Sequence, residues 1–176
     1  MGRKLRLITA GLTSCALMSS AACSSAQIEY EIPGVICNVK VDKKITSRIL
    51  PPGKEIAERS GALKKSPSSC KVGVDKKLAL FISVYQAQQY YDPMDPLQSH
   101  GFENRAQMQD LPFGWTGALG DNDSTIISKC STDLPYVLTE VSVKVGDSDT
   151  SQRRKDIQNF ATHFTKGAKT EFDCTE

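Results

Sequence analysis

Several motifs that would assign an activity are missing from this chain of 176 residues. Histidine is scarce, since His100 and His163 are the only two, and they do not form the HExxH motif of helical zinc sites. The chain also lacks GxSxG, the sharp turn that exposes a nucleophilic serine in many hydrolases. No two of its cysteines have the CxxC spacing of zinc or redox sites. The sequence therefore predicts no catalytic residue, no metal site and no cofactor.

Long apolar runs and a surplus of one charge are also absent. The stretch Leu7–Met18, which has no charged residue, spans 12 positions, whereas a helix needs roughly 20 residues to cross a bilayer. The whole chain has 22 basic and 20 acidic residues, a net charge of +2. Three of the basic residues precede Cys23, so the remainder has 19 basic residues and a net charge of −1. This balance predicts neither a nucleic-acid partner nor a polybasic membrane patch.

The first 23 residues have the arrangement of a bacterial export signal. A basic start at positions 3–6 precedes the apolar core, and small residues lead into Cys23. Ser20–Cys23 resembles the lipobox of bacterial lipoproteins, with Ser20 at a position where that family prefers Leu. We therefore predict a signal peptide at residues 1–22 and a lipid on Cys23. The protein would then be exported and held on the outer face of the cytoplasmic membrane by that lipid anchor alone.

Two other processing sites remain open. Leu12–Cys15 fits the lipobox pattern better, but the apolar core ahead of it, Leu7–Gly11, is short. Lipidation at Cys15 would also leave five later cysteines, which cannot all pair with one another. A plain signal-peptidase cut after Ala26 would instead release a soluble secreted protein. Both this cut and lipidation at Cys23 leave four cysteines in the remaining domain.

These four cysteines, Cys37, Cys70, Cys130 and Cys174, form an even set. In an oxidising compartment such a set predicts two disulfides. We favour Cys37 with Cys70 and Cys130 with Cys174, because each pair closes a loop within one half of the chain, although three pairings are formally open. Closing loops of this length stabilises a fold by about 3.5 to 4 kcal/mol each in the chain-entropy treatment.

The pattern of apolar residues predicts one globular domain over residues 37–176, preceded by a tether or edge segment at residues 23–36. Asp42 can cap a short helix of two turns that ends before Pro51. Runs of β-branched and aromatic residues predict two strand pairs. The pairs are Cys70–Val74 with Leu78–Tyr85, and Ser124–Cys130 with Tyr136–Val145.

The clearest helix pattern lies between Thr150 and Phe172. Apolar residues recur there at spacings of three and four, namely Ile157, Phe160, Ala161, Phe164, Ala168 and Phe172. Asp149 or Thr150 can cap the start, Lys169 is expected away from this apolar stripe, and Gly167 is expected to cost about 1 kcal/mol relative to Ala. The predicted fold is α+β, an antiparallel sheet of about four to six strands with this helix packed on one face.

Residues 86–112 form a long polar connection that contains three prolines. Within it, Phe102–Met108 is compatible with a helix. Long connections often carry function, and tyrosines beside a proline-stiffened segment suit a protein contact. We therefore predict Tyr85, Tyr90 and Tyr91 as partner-contact residues, with coverage of the sheet edge as the structural alternative.

Three other features favour structural roles. His163 projects away from the apolar stripe of the last helix, which predicts an exposed position. Gly120–Thr125 resembles half of a calcium loop but lacks the glycine and distal glutamate of an EF-hand, so it predicts a turn. Trp115, the single tryptophan, is predicted as a core anchor beside a tight turn because its ring is large and apolar.

A set of cysteines and short motifs spans most of the chain that follows the signal. The set comprises Cys37, Ile49–Gly53, Cys70–Asp75, Gly114–Gly117, Cys130, Arg153–Arg154 and Asp173–Cys174. Together these motifs resemble a group of actinobacterial exported proteins and lipoproteins. The motifs are structural and no activity comes with the group, so the resemblance names no site residue.

Two functional hypotheses are compatible with these observations. The first is a non-enzymatic module of the cell envelope that binds an envelope protein or a small ligand, with residues 85–112 as the contact. The second is an envelope hydrolase whose Ser-His-Asp triad is assembled from scattered residues and uses His100 or His163. The lack of any hydrolase motif favours the first hypothesis.

Overall fold

A seven-stranded antiparallel sheet is the centre of the structure, a computed structural model that describes residues 27–61, 68–95, 97, 101–144 and 149–174. In chain order the elements are β1 (Val35–Ile36), β2 (Val39–Lys40), α1 (Lys43–Thr46), β3 (Ile56–Ser60), β4 (Ser68–Val74), β5 (Lys77–Ala87), β6 (Ala106–Gln107), β7 (Thr116–Leu119), β8 (Asp123–Lys129), β9 (Tyr136–Val143) and α2 (Thr150–Glu171). The predicted signal peptide, Cys15, Cys23 and His100 lie outside the described residues.

The strands of the main sheet are ordered β3-β4-β5-β9-β8-β7-β6, and β1 with β2 forms a separate hairpin. The α+β fold class is confirmed, with a sheet one strand larger than the predicted range. Strands β3, β6 and β7 were not anticipated because they are short and lack a clear alternation of apolar and polar residues. In β7, for example, Gly117 and Ala118 weaken the strand pattern.

Both predicted strand pairs are confirmed. Asp75 and Lys76 have φ values of 49° and 66°, the left-handed conformation that a two-residue hairpin turn between β4 and β5 requires. Backbone N–H groups of Lys54 and Glu55 donate to Asp75 Oδ1 at 3.0 and 2.9 Å, and these hydrogen bonds lower the pKa of Asp75. The turn is therefore fixed to the chain that precedes β3.

Helix α2 packs on one face of the sheet, as predicted. The Asp149 side chain caps it by accepting a hydrogen bond from the Ser151 N–H at 2.9 Å. Its apolar stripe is buried over β8 and β9, whose alternate residues face the helix because strand side chains alternate between faces. The buried apolar residues on this face of the sheet are Ile126 of β8, Val137, Val141 and Val143 of β9, and Leu80, Ile82 and Val84 of the neighbouring β5.

Two disulfides have the favoured pairing. Cys37, in the turn of the β1–β2 hairpin, is bonded to Cys70 of β4. Cys130, which follows β8, is bonded to Cys174, which follows α2. The first bond ties the small hairpin to the sheet, and the second ties the end of the helix to the end of a strand.

The chain ahead of β3 packs around Pro51. Asp42 caps α1, as predicted, but the helix has four residues rather than two turns because 3₁₀-type bonds from Arg48 and Ile49 replace the helical pattern before the prolines. The Tyr30 hydroxyl donates to the Pro51 carbonyl at 2.6 Å. Within the predicted tether or edge segment, residues 27–36 therefore include a side chain that contacts the domain.

The connection between β5 and β6 crosses from the middle of the sheet to its far edge. Helix α2 occupies one face of the sheet. Within the connection, the Tyr90 hydroxyl lies 3.2 Å from Thr116 Oγ1 of β7. The expectation that Phe102–Met108 is helical was wrong, because Ala106 and Gln107 pair with β7 as an edge strand and the Met108 N–H donates to the Gly117 carbonyl. Pairing with a neighbouring strand outweighs local helix preference here.

In the part of the chain that the structure describes, no helix combines the length and apolar character needed to cross a membrane.

Replacing Gly167 by Ala is expected to destabilise the protein, although helix propensity alone favours Ala by about 1 kcal/mol. A Cβ at this position would lie 2.5 Å from Val39 Cγ1 and 3.2 Å from the Lys40 carbonyl oxygen, so β2 would have to move. We expect a net loss of about 1 to 3 kcal/mol in the free energy of unfolding, measured by urea denaturation. The exposed Asn159→Ala on the same helix is the control and should change stability little. A more stable Gly167→Ala protein would contradict the packing of β2 on α2.

Candidate functional site

A cavity of about 430 Å³ opens where the end of α2 meets the turn before β7. We call it the Trp115 cavity. Its lining residues are Pro112, Phe113, Gly114, Trp115, Lys129, Cys130, Ser131 and Lys169. Small-molecule sites are clefts of roughly 300 to 1,000 Å³, lined largely by apolar groups with a few polar ones. In size and lining, the Trp115 cavity belongs to this class of site.

One wall of the cavity is a tight turn formed by Pro112–Trp115. The Trp115 N–H donates to the Pro112 carbonyl at 3.1 Å, and Gly114 at the third position has a φ of 75°. This is the arrangement of a type II turn, which needs glycine at that position because φ is positive. The turn sends Trp115 into the core, as predicted, while the Phe113 ring is fully exposed. The exposed ring of Phe113 and the buried indole of Trp115 thus stand on either side of Gly114 at the cavity.

The second wall carries Lys169 of α2. Its expected place away from the apolar stripe was wrong, because only 6% of the residue is exposed. The side-chain amine lies 5.4 Å from the centre of the Trp115 ring, within cation–π range. Among the described residues it has no hydrogen bond or ion pair. The stem of Lys169 is therefore buried, while its amine, which is not among the buried atoms that lack a partner, reaches the open cavity.

The charge of the cavity is positive. Lys129, at the end of β8, is exposed, and its stem passes beside Gly114. Among the described residues, no acidic side chain lines the cavity. Two ammonium groups and no carboxylate at one concave surface raise the local concentration of anions.

The two walls are held together covalently. Helix α2 ends in a Schellman motif, in which the Cys174 N–H donates to the Lys169 carbonyl at 3.0 Å and the Asp173 N–H donates to the Thr170 carbonyl at 3.1 Å. Asp173 has a φ of 56°, so the chain reverses and brings Cys174 to Cys130. The disulfide therefore fixes the end of the helix that bears Lys169 against the strand end that bears Lys129.

The loop behind Cys130 is fixed by polar contacts. The Cys130 N–H donates to the Pro135 carbonyl at 2.9 Å, which closes the loop between β8 and β9. The Gln86 side chain donates from Nε2 to Thr132 Oγ1 at 2.9 Å. The walls of the cavity are thus a strand end, a helix end and a tight turn, each fixed by hydrogen bonds. The cavity is therefore preformed rather than assembled by a flexible loop.

The three tyrosines predicted as partner contacts lie on the sheet face opposite α2 and at its margin. Tyr85 and Tyr91 are half-buried, and Tyr90 is half-exposed. The Tyr90 ring packs edge-on against Tyr136 with centroids 5.8 Å apart. Its hydroxyl contacts Thr116, the residue after Trp115. None of the three tyrosines belongs to the lining of the Trp115 cavity, which opens on the side of the sheet that carries α2.

Tyr85 and Glu140 share this sheet face on the neighbouring strands β5 and β9. Burial, followed by the nearby Glu140 carboxylate and Tyr91, raises the pKa of Tyr85 to about 12. Burial also raises the pKa of Glu140. Both groups therefore favour their neutral forms more than they would in water. This pair is a partly desolvated polar cluster under the β5–β6 connection.

The remaining candidates have structural surroundings. His163 is exposed, as predicted, with Nδ1 2.9 Å from the Asn159 carbonyl oxygen, and no described serine lies within hydrogen-bond distance of its ring. Of the predicted turn Gly120–Thr125, residues 121–122 form the bend between β7 and β8, whereas Asp123–Thr125 belong to β8. Asp121 pairs with Arg154 at 2.9 Å. Within the described ranges, no group of three or more His, Cys, Asp or Glu side chains is suited to a metal ion.

Replacing Glu140 by Gln is expected to increase stability more at neutral pH than at acidic pH. A raised pKa means that the folded state binds the Glu140 proton more tightly than the unfolded state does, so this contribution is present below about pH 4.5 and is lost as the pH rises through the raised value. The difference in unfolding free energy between variant and wild type should therefore grow from pH 4 to pH 8 in urea titrations. Glu58→Gln, on the exposed edge strand β3, is the matched control. A difference independent of pH would show that Glu140 is not desolvated.

No protein-family model, curated protein or solved structure matches this chain. The resemblance to actinobacterial exported proteins therefore stays a prediction. What the chain can bind has to be inferred from the geometry of the Trp115 cavity itself.

Proposed function

We propose that this chain is a non-enzymatic binding module of the cell envelope that holds a small ligand in the Trp115 cavity. The observation that carries the proposal is the pairing of a fully exposed Phe113 ring with a cavity walled by Trp115. An exposed aromatic ring is unfavourable in water, and at the mouth of a concave site it is well placed to cover an apolar ligand. Pro112, the last residue of the segment 85–112 that is expected to make the contact, lines the cavity.

Export is part of the same proposal, and the two disulfides support it. Such bonds persist in oxidising compartments and are rare in the cytosol of most organisms. A lipid on Cys23 would hold the domain at the outer face of the cytoplasmic membrane, and a cut after Ala26 would release it. Neither form alters the residues of the cavity, so ligand binding would be the same in both.

The geometry favours binding over hydrolysis. A hydrolytic triad needs a nucleophile within hydrogen-bond reach of its histidine, and the exposed ring of His163 contacts the backbone of its own helix instead. The described lining of the Trp115 cavity contains two lysines and one serine, with no histidine or carboxylate that could act as a general base. We therefore assign the cavity a binding role.

The proposal is tested with N-phenyl-1-naphthylamine, an uncharged aromatic probe whose fluorescence rises in apolar sites. Trp115 is the single tryptophan of the chain, so energy transfer from protein to probe reports proximity to this cavity. Phe113→Ala is expected to weaken probe binding by about tenfold, because the ring contributes an apolar contact worth roughly 1.5 kcal/mol. Phe113 is fully exposed, so its removal should leave the unfolding midpoint unchanged.

Leu97→Ala is the control, since Leu97 is 82% exposed and belongs to the β5–β6 connection rather than to the cavity lining. It should bind the probe as wild type does. Absence of energy transfer in the wild-type protein, or equal affinities in the two variants, would reject the Trp115 cavity as a ligand site.

A further inference from the structure

We propose that the ligand of the Trp115 cavity is an anion, a small molecule that joins a flat apolar body to a carboxylate, sulfonate or phosphate group. This inference rests on the proposed function and adds the chemical class of the ligand. The decisive group is Lys169, which is 6% exposed and lines the cavity.

Lys169 has no protein partner for its charge among the described residues. Its amine faces the Trp115 ring at 5.4 Å and has no hydrogen bond or ion pair there. The stem of the side chain is buried, but the amine is not one of the buried atoms that lack a partner, so water in the open cavity reaches it. An anionic group in the cavity would replace that water, supply the opposite charge and accept hydrogen bonds from the amine.

The surroundings favour an anion over a neutral polar group. Lys129 adds a second positive charge at the rim, and none of the lining residues in the described part of the chain is acidic. Like Lys169, Lys129 has no ion pair among the described residues. An incoming anion therefore meets two unpaired cations and displaces no carboxylate.

The apolar half of the ligand follows from the same lining. Trp115 and Phe113 present aromatic surface on either side of the turn glycine, and aromatic rings pack well against such surface. The anionic group would meet Lys169 at the Trp115 wall, while the flat body would be covered by Phe113 at the mouth. An inorganic anion would pair with the lysine and leave the exposed Phe113 ring uncovered, so the geometry favours a ligand that has both parts.

A pair of probes separates charge from shape. 1-Anilinonaphthalene-8-sulfonate and N-phenyl-1-naphthylamine share the anilinonaphthalene body, and only the first carries a negative charge. The wild-type protein is expected to bind the sulfonate probe about tenfold more tightly, as a charge-assisted hydrogen bond in a partly desolvated site would give. Both affinities are measured by energy transfer from Trp115 under the same salt conditions.

Lys169→Met keeps an unbranched apolar stem, one atom shorter than that of lysine, and removes its charge. In this variant the preference for the sulfonate probe should vanish while binding of the neutral probe persists, which also shows that the cavity is still folded. Lys169→Arg should retain the preference, and Lys129→Met should reduce it only slightly because Lys129 is exposed to solvent.

The outcomes distinguish the two proposals. Equal wild-type affinities for the two probes would overturn the anion inference and leave the proposed binding function intact. A preference for the sulfonate probe that survives in Lys169→Met would also overturn the anion inference, because a group other than Lys169 would then bind the negative charge. If neither probe shows energy transfer in the wild-type protein, both proposals fail. The wild-type comparison decides the question even if Lys169→Met does not fold.

Discussion

The apolar stripe of α2, buried against the sheet, is the constraint on which the other features of this protein depend. Burial of Phe160 and Phe164 fixes the rotation of the helix. With the rotation fixed, Gly167 lies against β2 and Lys169 lies at the margin of the core over Trp115. The Schellman motif that follows directs Cys174 to Cys130. The packing of α2 on the sheet therefore positions the β1–β2 hairpin, the Cys130–Cys174 disulfide and the candidate site.

The Trp115 cavity lies where this core ends. On one side the lysine side chain is confined between helix and turn, and on the other the Phe113 ring is left in solvent. The lysine has no carboxylate partner among the described residues, and the exposed aromatic ring is unfavourable in water. Their juxtaposition at one cavity gives both a common explanation, a ligand that is apolar in one part and anionic in another. The disulfide keeps the two walls at a fixed separation, which lowers the ordering cost of binding.

Sequence patterns predicted the elements whose residues repeat regularly. The stripe of α2, the alternation in β9 and the hairpin around Asp75 have periods that identify helix and strand without tertiary information. The short strands β6 and β7 were missed because two to four residues cannot establish a period and their stability comes from pairing with a neighbour. Gly167 was misjudged for a related reason, since its close contact with Val39 joins distant parts of the chain.

The amino-acid sequence by itself determined the α+β class, the capped C-terminal helix and the burial of Trp115, and it favoured the two disulfide pairs without excluding the other pairings. These follow from local periodicity, capping chemistry and side-chain size, which act over a few residues. Tertiary structure alone decided that Lys169 is buried over Trp115 and that Phe113 is exposed beside it. Lys169 lies on the flank of the apolar stripe, where burial depends on whether another segment covers the side chain. The segment that covers it is the turn at Pro112–Trp115, which begins more than fifty residues earlier in the chain.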